Sequence, residues 1–127
     1  MNFTDAIQSA FNQYARFDGR ARRAEYWYFA LLTFLVSIAC QLVTMVDRNA
    51  TTIALLLSIV AALISLALIV PSISVTVRRL HDIGRSGWFL LIGLIPIVGG
   101  IVLLVWMCSR GNDGPNRFGP DPLTAAA

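Results

Sequence analysis

The 127 residues include no lysine, one histidine, two cysteines and only 13% charged side chains. An ordinary soluble domain carries about 25% charge, so this chain has roughly half of what a water-facing surface needs, which excludes a free soluble globule. With 57% hydrophobic residues, a water-soluble fold would have to bury more surface than so short a chain encloses. The same composition excludes disorder. A lone histidine provides no metal-ligand set, and neither a Ser or Cys nucleophile motif nor a Gly-rich phosphate loop accompanies it. No catalytic, cofactor-binding or metal-binding residue is therefore assigned, and no cofactor is expected. Cys40 and Cys108 fall in apolar runs and read as small apolar fillers, not as a disulfide.

What is present is charge in clumps. All ten basic residues are arginine, and the uncharged runs between clumps are 26–46, 49–77 and 86–109. Each is long enough to span, since about 20 apolar residues cross a hydrocarbon core of roughly 30 Å. The expected fold is all-α: a polytopic transmembrane helical protein of about three spans, preceded by an amphipathic interfacial helix. It forms a single membrane domain over 1–127, with the interfacial helix at 3–17, membrane segments at 26–46, 53–77 and 87–109, and an irregular tail at 110–127. The stretch before Arg16 holds Asp5 and no basic residue, unlike a cleaved signal peptide.

Arginine placement sets the orientation. Arg16, Arg20, Arg22 and Arg23 precede the first run and Arg78, Arg79 and Arg85 follow the second, against Arg48 alone in the first loop, which puts the N-terminus and second loop in the cytoplasm. Because these arginines sit where apolar runs end, the pI of about 9.4 signals topology and not nucleic acid. In the third run Pro96, Gly99 and Gly100 favour a single kinked span. The alternative is a re-entrant hairpin, whose tip would need burial in protein and which would return the tail to the arginine side.

Within the first helix, Phe3, Ile7, Ala10, Phe11 and Tyr14 share one face, suited to a membrane surface or to the chain's own spans. Thr33, Ser37, Gln41 and Thr44 form a mildly polar stripe on the first span. Ser58, Ala61, Ala62, Ser65 and Ser72 form a small-residue stripe on the second, so the two are expected to face each other and hydrogen-bond across the contact. Pro71 is expected to kink the second span. After it, Arg78 and Asp82 are spaced to pair at i, i+4. Gly84 can end the helix in a left-handed conformation, Ser86 can cap the next, and Trp88 suits the interface. His81 and Asp82 are adjacent and therefore point about 100° apart on a helix, which counts against a catalytic pair and favours a hydrogen-bonded or pH-sensitive histidine. The tail from Arg110 to Pro122 is turn chemistry: either solvated, or ordered with Phe118 as anchor and Arg117 paired to a carboxylate.

Three stretches, 17–27 (FDGRARRAEYW), 78–88 (RRLHDIGRSGW) and 116–122 (NRFGPDP), together resemble the bacterial membrane-protein family called domain of unknown function 805. Ala24 stands where the family often has Ser, and Phe118 where it often has Tyr. The resemblance implies a small polytopic protein of the bacterial inner membrane and brings no established activity. The preferred reading is a non-enzymatic membrane protein whose cytoplasmic Arg, His and aromatic cluster binds a partner protein or anionic lipid headgroups. The candidate residues are Arg20, Arg22, Arg23, Glu25, Arg78, Arg79, His81, Asp82, Arg85, Trp88, Asn116 and Arg117. The alternatives are an oligomeric small-solute transporter or channel, motivated by the broken third run, and a membrane-embedded enzyme using His81. The expected partners are the bilayer and its anionic phospholipids, with a homo-oligomer or membrane-protein partner as further options and no nucleic acid.

Overall fold

The computed structural model describes residues 1–46 and 52–125, all of it helix and loop apart from one isolated bridge in the tail. Asp47 and Arg48, part of the charge count above, lie outside the described residues. Helix α1 (Phe3–Asn12) begins on Asn2, whose side chain accepts from the Asp5 amide at 2.8 Å. Ala6 and Ala10 are fully buried, which lets α1 lie close against α2 (Arg23–Val46). Phe3 meets Tyr28 and Phe11 meets Phe29 edge to face, at centroid separations of 5.8 and 5.7 Å. The apolar face of α1 thus rests on the chain's own helix. It ends at Asn12, short of the expected residue 17, because the following carbonyls are claimed by α3 (Thr52–Asp82). There the Ser74 hydroxyl faces the carbonyl oxygens of Gln13 and Arg16 at 3.0 and 2.6 Å.

At 1.5 Å per residue, α2 spans about 36 Å and α3 about 46 Å, both more than a hydrocarbon core of roughly 30 Å. None of the most apolar stretch of α3 is buried. Helices that expose leucine, isoleucine and phenylalanine on nearly every side are solvated by lipid, not by protein. Thr33 and Ser37 of α2 and Ser65 and Ser72 of α3 line one cavity of about 310 Å³, so the two stripes do meet at that level. The expected bonds across the contact are replaced by bonds within each helix: Thr33 donates to the Ala30 carbonyl, Ser65 to Ala61 and Ser72 to Leu68. A hydroxyl with a carbonyl one turn back is already satisfied.

Helix α3 continues through buried Pro71. Proline has no N–H, so the carbonyl four residues earlier, that of Ala67, loses its helical partner. The Tyr14 hydroxyl, from the segment after α1, donates to that carbonyl.

The third apolar run is not one span. It forms a 3-10 helix (Gly87–Leu94), capped by the Ser86 side chain, then a turn at Ile95 to Ile97, then helix α4 (Val98–Cys108). The two arms touch. A Cβ on Gly99 would sit 1.8 Å from the Ile92 carbonyl oxygen, and one on Gly93 would sit 2.8 Å from Leu103. Both ends return to the same turns of α3: Gly87 packs on Val77, and the Ser109 carbonyl accepts from Arg79. The expected single kinked span is therefore corrected to a hairpin. Each arm, about 16 Å long, is too short to cross a bilayer. Glycine allows the backbones to touch, while Pro96 and the positive φ of Ile97 (66°) turn the chain. Burial concentrates at one end of the molecule, where Ala21, Phe29, Val75, Leu80 and Met107 surround a set of charges.

Candidate functional site

The charges at that end come from three separate stretches. Gly19 adopts a positive φ of 85°, a conformation that glycine enters without Cβ strain. The chain then turns, and Arg20 enters the interior beside the last turn of α3, past the membrane segment expected at 53–77. Its Nε donates to Asp82 Oδ1 at 3.0 Å, and its two terminal nitrogens donate to the tail carbonyls of Gly114 at 2.7 Å and Asn112 at 2.6 Å. The other Asp82 oxygen accepts from Arg79 Nη1 at 2.6 Å, while Arg79 also reaches the carbonyls of Met107 and Ser109. Gly111 lies against this carboxylate so closely that a Cβ there would stand 2.1 Å from Oδ2. Both arginine side chains and Asp82 are almost wholly buried.

The expected Arg78–Asp82 pair is replaced. Arg78 donates to Glu25 at 2.8 Å, because the first turn of α2 sets Glu25 beside it, and Asp82 takes Arg79 at i, i+3. Asp121, also buried, accepts from the amides of Leu123 and Gly114 at 2.9 and 3.0 Å. Those bonds hold its carboxyl below the usual range. Three buried arginines thus pair with two buried carboxylates, Asp82 and Glu25, while a third carboxylate, Asp121, is held by backbone amides. Burial pushes the Asp82 carboxyl up, and the two guanidiniums beside it pull the other way. Burial also lowers Arg79 from its ordinary value, and the Asp82 carboxylate beside it acts the other way.

His81 faces away from Asp82, as the helical spacing predicts. Its Nδ1 lies 2.9 Å from the Gly19 carbonyl, which only accepts, so Nδ1 carries the proton. The ring stacks on Phe118 with centroids 4.0 Å apart and planes within 2°. Burial lowers the imidazole below its ordinary value, and nearby Arg117 acts in the same direction. Asn116 donates to the His81 carbonyl at 2.9 Å. The tail is therefore ordered, with Phe118 as its anchor. The guanidinium of Arg117 lies over the Phe118 ring, 4.6 Å from its centroid, instead of pairing with a carboxylate. Arg85 lies over Trp106 at 4.4 Å, and Trp88 is 79% exposed. Arg23 donates to the Cys108 carbonyl at 3.2 Å, and one turn later the Trp27 indole donates to the Met107 carbonyl.

The three stretches singled out in the sequence thus assemble into one cluster. Residues 14–120 match the family described as "Protein of unknown function (DUF805)". The chain belongs to this family. Among curated relatives, inner membrane protein YhaI of Escherichia coli strain K12 is 38% identical over 114 residues, covering 90% of this chain and 92% of its own length. Inner membrane protein YhaH of the same strain is 40% identical over 111 residues, covering 86% and 88%. No solved structure matches.

Not all of the candidate residues in this DUF805 chain face outward. Arg20, Glu25, Arg78, Arg79 and Asp82 are internal, while Arg23, Arg85, Trp88 and Arg117 are at the surface. Sequence reasoning missed Ser74, Tyr14, Gly111 and Asp121. Ser74 and Tyr14 could have been found by asking which side chain serves the carbonyls left open around Pro71 and after α1.

Proposed function

We propose that this DUF805 chain is a non-enzymatic protein of the bacterial inner membrane, with α2 and α3 as spans and the hairpin re-entering from the cytoplasmic side, and that its cytoplasmic end binds anionic lipid headgroups. The observation that carries this reading is a surplus of positive charge after internal pairing. Arg16, Arg20, Arg78, Arg79 and Arg110 each contact a carboxylate, whereas Arg22, Arg23, Arg85 and Arg117 contact none among the described residues. Arg85 lies over the Trp106 ring, three residues before exposed Trp88, Arg23 is one turn from Trp27, and indole rings favour the headgroup level. Each such arginine contributes about 1 kcal/mol of attraction to an anionic leaflet. The names of the relatives YhaI and YhaH support the inner-membrane location.

Two measurements test the proposal. Phosphatidylglycerol and cardiolipin co-purifying with the detergent-extracted protein are expected to be enriched over bulk membrane lipid. Arg85→Gln with Arg117→Gln should lower that enrichment at unchanged yield; unchanged enrichment counts against headgroup binding by the exposed arginines. A single cysteine at Thr124, with Cys40 and Cys108 replaced by alanine, should resist a membrane-impermeant thiol reagent in intact cells and react after lysis. Labelling in intact cells would place the tail outside and remove the re-entrant topology.

A further inference from the structure

Beside the salt-bridge cluster is a second feature that internal pairing does not use. A cavity of about 270 Å³ opens between the start of α2 and the tail, lined by Arg22, Arg23, Ala24, Arg110, Gly111 and one side of Asp82. Three of those side chains are cations. The single carboxylate, Asp82, has both oxygens already engaged by Arg20 and Arg79, so the wall is net positive. Arg23 and Ala24 are the first residues of a 24-residue helix, whose opening N–H groups have no intrahelical acceptor and form its positive end. Arg22, on the wall of the cavity, contacts no carboxylate among the described residues. Arg110 reaches the cavity from the other side and, among the described residues, pairs with the exposed Asp113 alone, an attachment worth little.

We infer that this cavity is a binding site for one phosphate group, held between the Arg22 and Arg110 guanidiniums and the first turn of α2. Guanidiniums present paired N–H donors that match phosphate oxygens, and helix N-termini add backbone donors. The phosphate can belong to a lipid headgroup, since Trp27 marks the interface one turn along α2, or to a soluble ion. The inference rests on the headgroup reading and adds to its exposed arginines one discrete pocket, which contains neither Arg85 nor Arg117.

The test titrates the purified full chain in uncharged detergent with dioctanoyl phosphatidic acid and, separately, with inorganic phosphate. Saturable one-to-one binding is expected, weakened about tenfold or more in Arg22→Gln and in Arg110→Gln, as loss of a charge-assisted contact requires, and retained in Arg110→Lys. Ala24→Leu, which fills the cavity and leaves every charge in place, should also abolish binding, so the outcome does not depend on arginine variants that fold poorly. Binding of phosphatidic acid without competition from inorganic phosphate assigns the lipid as source; competition assigns the free ion. Either result supports the pocket. Absence of saturable binding by the wild type, or equal affinity in all the variants, overturns it. The broader headgroup reading fails separately, through the Arg85 and Arg117 lipid-enrichment measurement.

Discussion

Asp82→Ala is expected to lower the stability of the detergent-solubilised protein by about 3–5 kcal/mol, the cost of stranding buried charge when one member of a pair is removed. Two guanidiniums lose their partner at once: Arg20 at 3.0 Å and Arg79 at 2.6 Å, neither with access to water. The same arginines hold the tail through the carbonyls of Gly114, Asn112 and Ser109. The loss should therefore appear in two readouts: an apparent melting midpoint lowered on the order of 10 °C, and new protease cleavage between residues 110 and 120. Asp113→Ala is the matched control. Its pair with Arg110 is 70% and 78% exposed, a class that contributes at most about 1 kcal/mol, so its midpoint should match the parent. An Asp82→Ala protein with the parent midpoint and an uncut tail would show that the cluster does not hold this end together.

Gly99→Ala should be nearly as damaging for a different reason. The added methyl would lie 1.8 Å from a backbone oxygen, that of Ile92, and 2.8 Å from its carbonyl carbon. Backbone cannot swing aside as a side-chain end can, so the two arms must part, at a cost of about 1–3 kcal/mol or more for overpacking. Gly100 gives the contrast: a Cβ there meets nothing within 4 Å, and Gly100→Ala should be neutral or slightly stabilising through helix propensity. Equal melting midpoints for the two variants would contradict the touching arms.

Much of the architecture was legible because lipid imposes a simple rule: long uncharged runs bounded by arginine. That rule found α2 and α3, and capping chemistry found the turn at Gly84, whose φ is 79°, and the cap at Ser86. It failed for the third run because length counts apolar residues without asking whether the backbone stays helical. Pro96 and Gly99 pointed to the break, but only the contact of Gly99 with Ile92 distinguishes a kink from a fold-back. The site was half legible. The three motifs were found as strings, and their arginines read as outward-facing ligands because arginine is rarely buried. What inverted that reading for Arg20, Arg78 and Arg79 was pairing between distant stretches. Glu25 lies 53 positions from Arg78, and Asp82 lies 62 from Arg20, beyond the reach of any local spacing rule. Helical geometry did predict that His81 and Asp82 face different ways.

The hydroxyl of Tyr14 on the Ala67 carbonyl has a mechanical consequence. A proline within a long helix is ordinarily a soft joint, because one rung of the ladder is missing there and the two halves can flex about the gap. Here the missing rung is replaced from outside, by a side chain that the N-terminal segment carries across the gap. The helix on either side of Pro71 is thereby splinted into one stiff shaft, so tilting its far end in the bilayer must also tilt the charged cap above it.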